Sequence, residues 1–328
     1  MPTTIVGTET IRSAVQSACR APSLHNSQPW RWVLDRDGRL QLFLDSGRVL
    51  HYDRSRRQAV IGCGAALDHL RVAAAAAGWR ALIDRFPNPS QPDHLASIHF
   101  TPMDYVTDGH RRRASAIWER RTDRLPFAAP ADWGNFEALL RNAIDDDVVR
   151  LDVLPRYARP RLVQASQLAE SLRLYDSLYH AELARWTAPF TLHEGIPQSS
   201  LVTAAESDRV DVGRVFPIIH QDERRVAIPE DDSMILVLST DTDNRSDALA
   251  AGEALSAVLL ECTMAGLATC PLTHLTEVRV TRELVSAVVG GGVLPQILVR
   301  VGVAPTLEDV PPPTPRRRLG EVLSIPGE

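Results

Sequence analysis

Three short segments hold the residues whose chemistry reaches beyond packing. The first reads Ala21-Pro22-Ser23-Leu24-His25-Asn26-Ser27-Gln28-Pro29-Trp30. Two prolines fix its backbone, while Ser23, Asn26, Ser27 and Gln28 set neutral hydrogen-bonding groups around Leu24 and Trp30. A flat heteroaromatic ligand wants that mixture; a capped helix running into a turn accounts for the same residues. The second, Arg120-Arg121-Thr122-Asp123-Arg124-Leu125-Pro126-Phe127, offers guanidinium groups suited to bidentate phosphate contacts and a threonine hydroxyl beside them. Its plain alternative is a solvated basic helix end. The third, Arg316-Arg317-Arg318-Leu319-Gly320-Glu321, ends a stretch with five prolines between Pro305 and Pro315. Such a stretch reads as an extended arm, able to carry arginines to a distant phosphate or to trail as a basic tail.

The elements that must position these segments come in two related sets. Gly64-Ala-Ala-Leu67, ending in Ala77-Gly78, and Gly252-Glu-Ala-Leu255, ending in Ala265-Gly266, superimpose at an offset of 188 residues. Leu255, Val258, Leu259, Cys262 and Ala265 keep the spacing of one helical face, and Leu67, Leu70, Ala74 and Ala77 repeat it with smaller residues. Gly78 and Gly266 stand where a left-handed residue closes a helix, and Gly64 and Gly252 permit close helix packing. Candidate N-caps are Asp53 or Ser55 in one half and Ser246 or Asp247 in the other. Strands are expected at Leu40 to Asp45 and Met234 to Ser239 upstream, and at Leu95 to Phe100 and Gln296 to Val301 downstream. A helix from Ile11 to Arg20 precedes the first segment. The division falls at residues 1–112 and 113–328. Within the second half, Leu162, Ala165, Leu168, Leu172, Tyr175 and Leu178 predict a helical insertion, and Thr187 to Gln221 reads as a long loop, a candidate lid.

Composition narrows the chemistry. All 36 lysine-plus-arginine positions are arginine. That excludes a P-loop, whose lysine reaches the phosphates, and a lysine Schiff-base enzyme. A net charge of −5 argues against nucleic acid as a partner. No run approaches the ~18 consecutive apolar residues of a membrane span, and Met1 to Gly7 lacks the plan of a secretory signal, so a cytoplasmic protein is expected. Cys19, Cys63, Cys262 and Cys270 are too scattered for a disulfide framework or a zinc site and read as buried thiols; no metal is expected. Gly62-Cys63-Gly64 reads as helix packing and Gly290-Gly291-Gly292 as a turn. His51, His69, His193 and His274 read as structural, and Tyr157, Tyr175 and Tyr179 as core aromatics on helix faces.

The three segments together resemble the FMN-dependent nitroreductase family. Its members carry an RRSxRxF-like phosphate motif, a PSxxNxQPW segment, a helix ending A-x-x-x-G-L with a proline soon after, and a C-terminal basic-x-Arg-Leu. The PSxxNxQPW match is the specific one, and the likeness spans nearly the whole chain. The duplicated halves and the stretch Asp53 to Trp79 are most similar to the Acg-type nitroreductase-like proteins of mycobacteria and other actinobacteria. The resemblance implies an α+β fold with central sheets flanked by helices, in which two related halves are fused as a single-chain pseudo-dimer, a monomer. It implies one FMN, held by Arg120, Arg121, Thr122, Arg124, Arg316 and Arg318 at the phosphate. At the ring it implies Pro22, Ser23, Leu24, Asn26, Pro271 and Thr273. NADH or NADPH would reduce the flavin, and a nitroaromatic, quinone or similar acceptor would reoxidise it, with no side chain required as acid or base. The alternative is an FMN storage or sequestering protein with a lid over the flavin. Three departures stand out: no RRSxR precedes Ile11, Thr273 replaces a commonly acidic residue, and Leu24 replaces a small one.

Overall fold

The computed structural model describes residues 6–189, 193–305 and 312–327. Most of the proline arm (306–311) and part of the expected lid (190–192) lie outside the described residues.

The first half runs α1 (Thr8–Ala18), β1 (Trp30–Leu34), β2 (Leu40–Leu44), α2 (Arg57–Ala76), β3 (Trp79–Arg85) and β4 (His94–Pro102). After α3 (Asp108–Glu119), the second repeats the plan with α4 (Trp133–Asn142) and β5 (Arg150–Leu154). An insertion follows: α5 (Arg159–Arg173), α6 (Ser177–Trp186) and α7 (Ala204–Asp208). The plan resumes with β6 (Met234–Thr240), α8 (Arg245–Met264), β7 (Ala268–Leu272), α9 (His274–Glu277), α10 (Arg279–Val288) and β8 (Leu294–Gly302). The chain closes on α11 (Leu319–Val322) and β9 (Leu323–Ser324).

The sheets have one topology. The first is ordered β3-β4-β2-β1 with β9 added beyond β1, and the second β7-β8-β6-β5 when read the same way. The neighbours that correspond in the two sheets pair antiparallel, while β9 pairs parallel to β1 and so returns the C-terminus to the first half. The fold is therefore α+β, two related halves fused in one chain. The division drawn at residue 112 falls inside α3, which is continuous across it.

Helices α2 and α8 form the seam. A Cβ on Gly64 would lie 2.0 Å from the Leu249 carbonyl oxygen, and one on Gly252 2.0 Å from that of Ile61. Only glycine tolerates that approach. Ser256 Oγ donates across the seam to Asp68 Oδ2 at 2.6 Å, and the two positions are 188 residues apart. Among the described residues α2 alone has the length and hydropathy of a membrane span, and 78% of that stretch is buried inside the protein.

Local signals were read with mixed accuracy. Gly78 and Gly266 close their helices at φ 85° and 73° as expected. The α8 N-cap is Asn244, two residues before Ser246 and three before Asp247, in a capping box with Asp247. Asp53 does accept from the amides of Gln58 and Ala59, although Arg56 takes the cap position. The insertion breaks at residues 174–176 into two helices, and Tyr157 and Tyr175 are 86% and 93% exposed rather than core; Tyr179 is buried.

Replacing Gly252 by alanine tests the seam. Helix propensity alone favours alanine by about 1 kcal/mol, so the overpacking penalty of about 1–3 kcal/mol or more must exceed it. Urea denaturation is expected to show a net loss of stability.

Candidate functional site

A cavity of about 620 Å³ opens beside the seam, walled by both halves. From the first half come Pro22, Ser23 and Leu24, in the turn after α1, with Gln58, Ile61 and Gly62 of α2. A Cβ on Gly62 would come within 3.2 Å of Ser23 Cβ, so the glycine admits the turn against the helix. His25, Asn26 and Gln28 of that turn all have positive φ, at 50°, 58° and 52°. The second half contributes Thr122 and Arg124, whose strand-like segment lies along β7 through the Asp123 amide and the Thr269 carbonyl at 2.9 Å. Pro271, Leu272 and Thr273 at the end of β7 complete the floor.

The roof is the insertion. Helix α5 turns Ser166, Gln167 and Glu170 toward the cavity, and Arg214 and Phe216 come from the expected lid. The lid carries more regular structure than the sequence suggested: α7 is capped by Thr203 with Glu206, and Glu206 binds Arg224 at 2.8 Å. It is tied down at several points. Gln28 Nε2 donates to the His193 carbonyl at 2.8 Å, Asn26 Nδ2 to that of Gly195 at 3.0 Å, Arg48 pairs with Glu194, and Arg124 Nη1 donates to the Ser200 carbonyl at 3.3 Å. Phe216 lies under Arg124, 4.9 Å from guanidinium carbon to ring centroid. Arg214 is buried in an ion pair with Glu277 and also donates to Tyr179 Oη and Thr273 Oγ1 at 2.7 and 3.0 Å. Arg214 and Arg173 hold the Glu277 carboxyl below its usual range against the opposing effect of its own burial.

At one end of the cavity arginines cluster. A smaller adjoining cavity of about 420 Å³ shares Thr122, Arg124 and Val202 with the first and adds Arg121 and Thr314. Off both linings, Arg120 and Arg316 both donate to the Arg20 carbonyl, at 3.3 and 3.1 Å. Arg120 Nε and Nη1 and Arg20 Nε are buried with no partner among the described residues. Burial, then the neighbouring Arg20, pushes the Arg120 guanidinium down to about 10; burial with Arg20 and Arg120 lowers Arg316 further from its ordinary value. Orphaned buried donors beside like charges call for an anion.

The structure thus gathers Pro22, Ser23, Leu24, Thr122, Arg124, Pro271 and Thr273 on one cavity, whereas Arg120 and Arg316 meet on the Arg20 carbonyl and line neither cavity. Arg121 is exposed and lines the adjoining space. Two expectations are corrected. Asn26 spends its amide on Gly195 and Pro315, fastening lid and arm rather than facing the cavity. Arg318 is exposed at the start of α11 and borders neither cavity. Sequence reasoning missed His25, Gln58, Arg214 and Phe216, and it also missed the polar α5 face at 166, 167 and 170. That face was visible as helical spacing.

Fold and cleft define a two-halved α+β protein with a cavity walled by both halves. No family model matches the chain. A Mycobacterium tuberculosis (strain H37Rv) protein with the provisional name NAD(P)H nitroreductase acg is 59% identical over 326 residues, spanning 99% of this chain and 98% of the relative. A second protein from that strain, also provisionally named an NAD(P)H nitroreductase, is 38% identical over 98% of this chain and 92% of its own length. The chain therefore belongs to the Acg-type nitroreductase family. Among solved structures, a nitroreductase-type protein from Anabaena variabilis matches with a TM-score of 0.46 and 10% identity, covering 90% of this chain and 73% of that one. The FMN-dependent nitroreductase NfnB of Mycobacterium smegmatis, in complex with NADPH, matches at 0.39 and 19%, covering 65% and 97%.

Three buried histidines, of which His25 and His274 line the cavity, give the protein a pH signature. Burial lowers His25 and His69 well below 6.5 and His274 to about 3. Folded they stay neutral, whereas unfolded they charge below about pH 6.5, so the unfolded state binds more protons there. Stability should fall as pH drops from 6.5, by up to about 1.4 kcal/mol per unit for each histidine. Urea melts at pH 7.5 and 5.5 should show this slope, shallower in His274→Gln.

Proposed function

We propose that the chain binds one FMN in the cleft between its halves. With NADH or NADPH it reduces a nitroaromatic, quinone or similar small acceptor, as a cytoplasmic monomer. The observation that carries this reading is the arginine cluster next to the cavity in sequence: buried guanidinium N–H groups of Arg120 without acceptors among the described residues, with Arg316 on the same Arg20 carbonyl, and Thr122 and Arg124 of the same segment on the cavity wall. That donor set fits a phosphate. The rest of the cavity is apolar at Pro22, Leu24, Pro271 and Ile297 and neutral-polar at Gln58 and Ser23, which fits a ring with polar edges. The provisional names of the mycobacterial relatives point the same way.

When bound, FMN supplies hydride transfer with a nicotinamide at its N5. The chain's own residues bind, orient and exclude water. Arg121, Thr122 and Arg124 on the cavity walls serve the phosphate end, with the buried pair Arg120 and Arg316 off the lining as its support, and the exposed Arg318 is left out of the set. Pro22, Leu24 and Pro271 pack the ring, and Ser23 holds the turn by accepting the Gln28 amide at 2.9 Å. One site per chain follows from the distribution of motifs, since Pro22–Gln28 occurs only in the first half and Arg120–Arg124 only in the second. The positions 188 residues before Pro271 to His274 are Ile83 to Phe86, where Ile83 and Phe86 pack into the core.

A second reading, FMN storage without turnover, has its own observation: the lid ties to Asn26, Gln28, Arg48 and Arg124. A lid held there keeps a nicotinamide from the ring.

Anaerobic addition of NADPH or NADH to the FMN-loaded chain separates the two. Bleaching of the flavin, with recovery on adding a nitroaromatic, supports the reductase; a flavin reduced by dithionite alone supports storage. Arg120→Ala should weaken FMN binding about 10- to 100-fold, the loss expected for hydrogen bonds to a charged group. Unchanged affinity would remove the phosphate assignment.

A further inference from the structure

His25 lines the cavity but serves neither the phosphate end nor the proposed ring contacts. Its backbone is left-handed at φ 50° and ψ 24°, a conformation that a side chain other than glycine rarely adopts unless its surroundings hold it. What holds it is aromatic. Tyr52 and Phe216 meet the imidazole edge-on, with centroids 6.1 and 5.8 Å away.

Hydrogen bonding fixes the ring's tautomer. Tyr52 Oη lies 2.5 Å from His25 Nε2. Burial pushes the Tyr52 phenol well above its ordinary value, so it keeps its proton. A buried O–H needs an acceptor, and Nε2 is the one Tyr52 has among the described residues. Nε2 is then the bare nitrogen, and the proton sits on Nδ1. Nδ1 finds no partner among the described residues. The sealed, unpartnered ring nitrogens belong to His69 and His274, not to His25. Its N–H donor therefore keeps access to open space beside the cavity.

The charged groups around the ring keep it an uncharged donor. Arg214, Arg124 and Arg173 surround it and, with burial, keep it neutral. Arg214 is neutralised by Glu277, and Glu170 adds a half-buried carboxylate to the same cavity.

We propose that His25 is the hydrogen-bond donor that fixes an oxygen of the cavity's second ligand, a neutral quinone or nitro compound, and that Tyr52 is its positioning residue. The identity of that ligand rests on the flavin reading; the donor geometry does not.

The test has two arms. Long-range proton–nitrogen correlation on the histidine-labelled chain, without flavin, reads the tautomer directly. His25 should be protonated at Nδ1, and Tyr52→Phe should admit the Nε2-protonated form. Duroquinone is then titrated into the FMN-loaded chain with no nicotinamide present. It should shift the His25 Nδ1 proton, and its Kd should rise about tenfold in His25→Gly, which suits the same backbone, and about threefold in Tyr52→Phe. An Nε2-protonated ring in the unsubstituted chain overturns the proposal. So does a duroquinone Kd unchanged in both variants. Failure to take up FMN would sink the flavin reading alone, because the tautomer measurement still decides the donor.

Discussion

The contact of Gly64 with Gly252 is the constraint on which the rest depends. Two 20-residue helices cross so closely that each glycine's missing side chain is replaced by the other helix's carbonyl. Because α2 and α8 each anchor one sheet, that contact sets the spacing between the halves. The cavity lies against it: Ile61 and Gly62 on α2 and Leu255 on α8 face the same space. Any separation of the helices would widen the cleft and move the turn at Ser23, which itself leans on Gly62.

On that frame the chain places two kinds of electrostatics. Under the lid, charges are matched, with Arg214 and Arg173 against Glu277 and with Arg300 and Arg159 against Asp231. At the other end Arg20, Arg120 and Arg316 gather around backbone carbonyls, and several of their N–H groups have no acceptor. Arg225 and Arg300 also bury an Nε without a partner, but each holds a carboxylate, whereas Arg120 and Arg316 stand together on one carbonyl. That difference, more than the cavity's size, supports the proposal of an anion there.

Much of this was legible in the residues. The α2 and α8 helices announced themselves through repeated Gly, Ala and Leu at helical spacing, and the 188-residue offset gave the two-halved plan before any strand order was seen. The turn at Pro22 to Gln28 stood out by composition. What stayed hidden was long-range. Nothing local tells Asn26 to bond Gly195 and Pro315, 169 and 289 residues away, in place of a ligand. The break of the insertion at 174–176 escaped because Leu172, Leu174 and Leu178 continue an apolar pattern that the structure leaves exposed. Arg214 looked like one charge among many in a loop, since its partner Glu277 lies 63 residues on.

The count of flavins per chain tests the central claim most directly, because two related halves could hold two, one or none. Calorimetric titration of FMN into the flavin-free chain, with the phosphorus resonance followed in parallel, should reach equivalence at one FMN per chain and show a single bound phosphate environment. Two equivalents, or no binding at all, would contradict a site assembled once from unlike pieces of both halves.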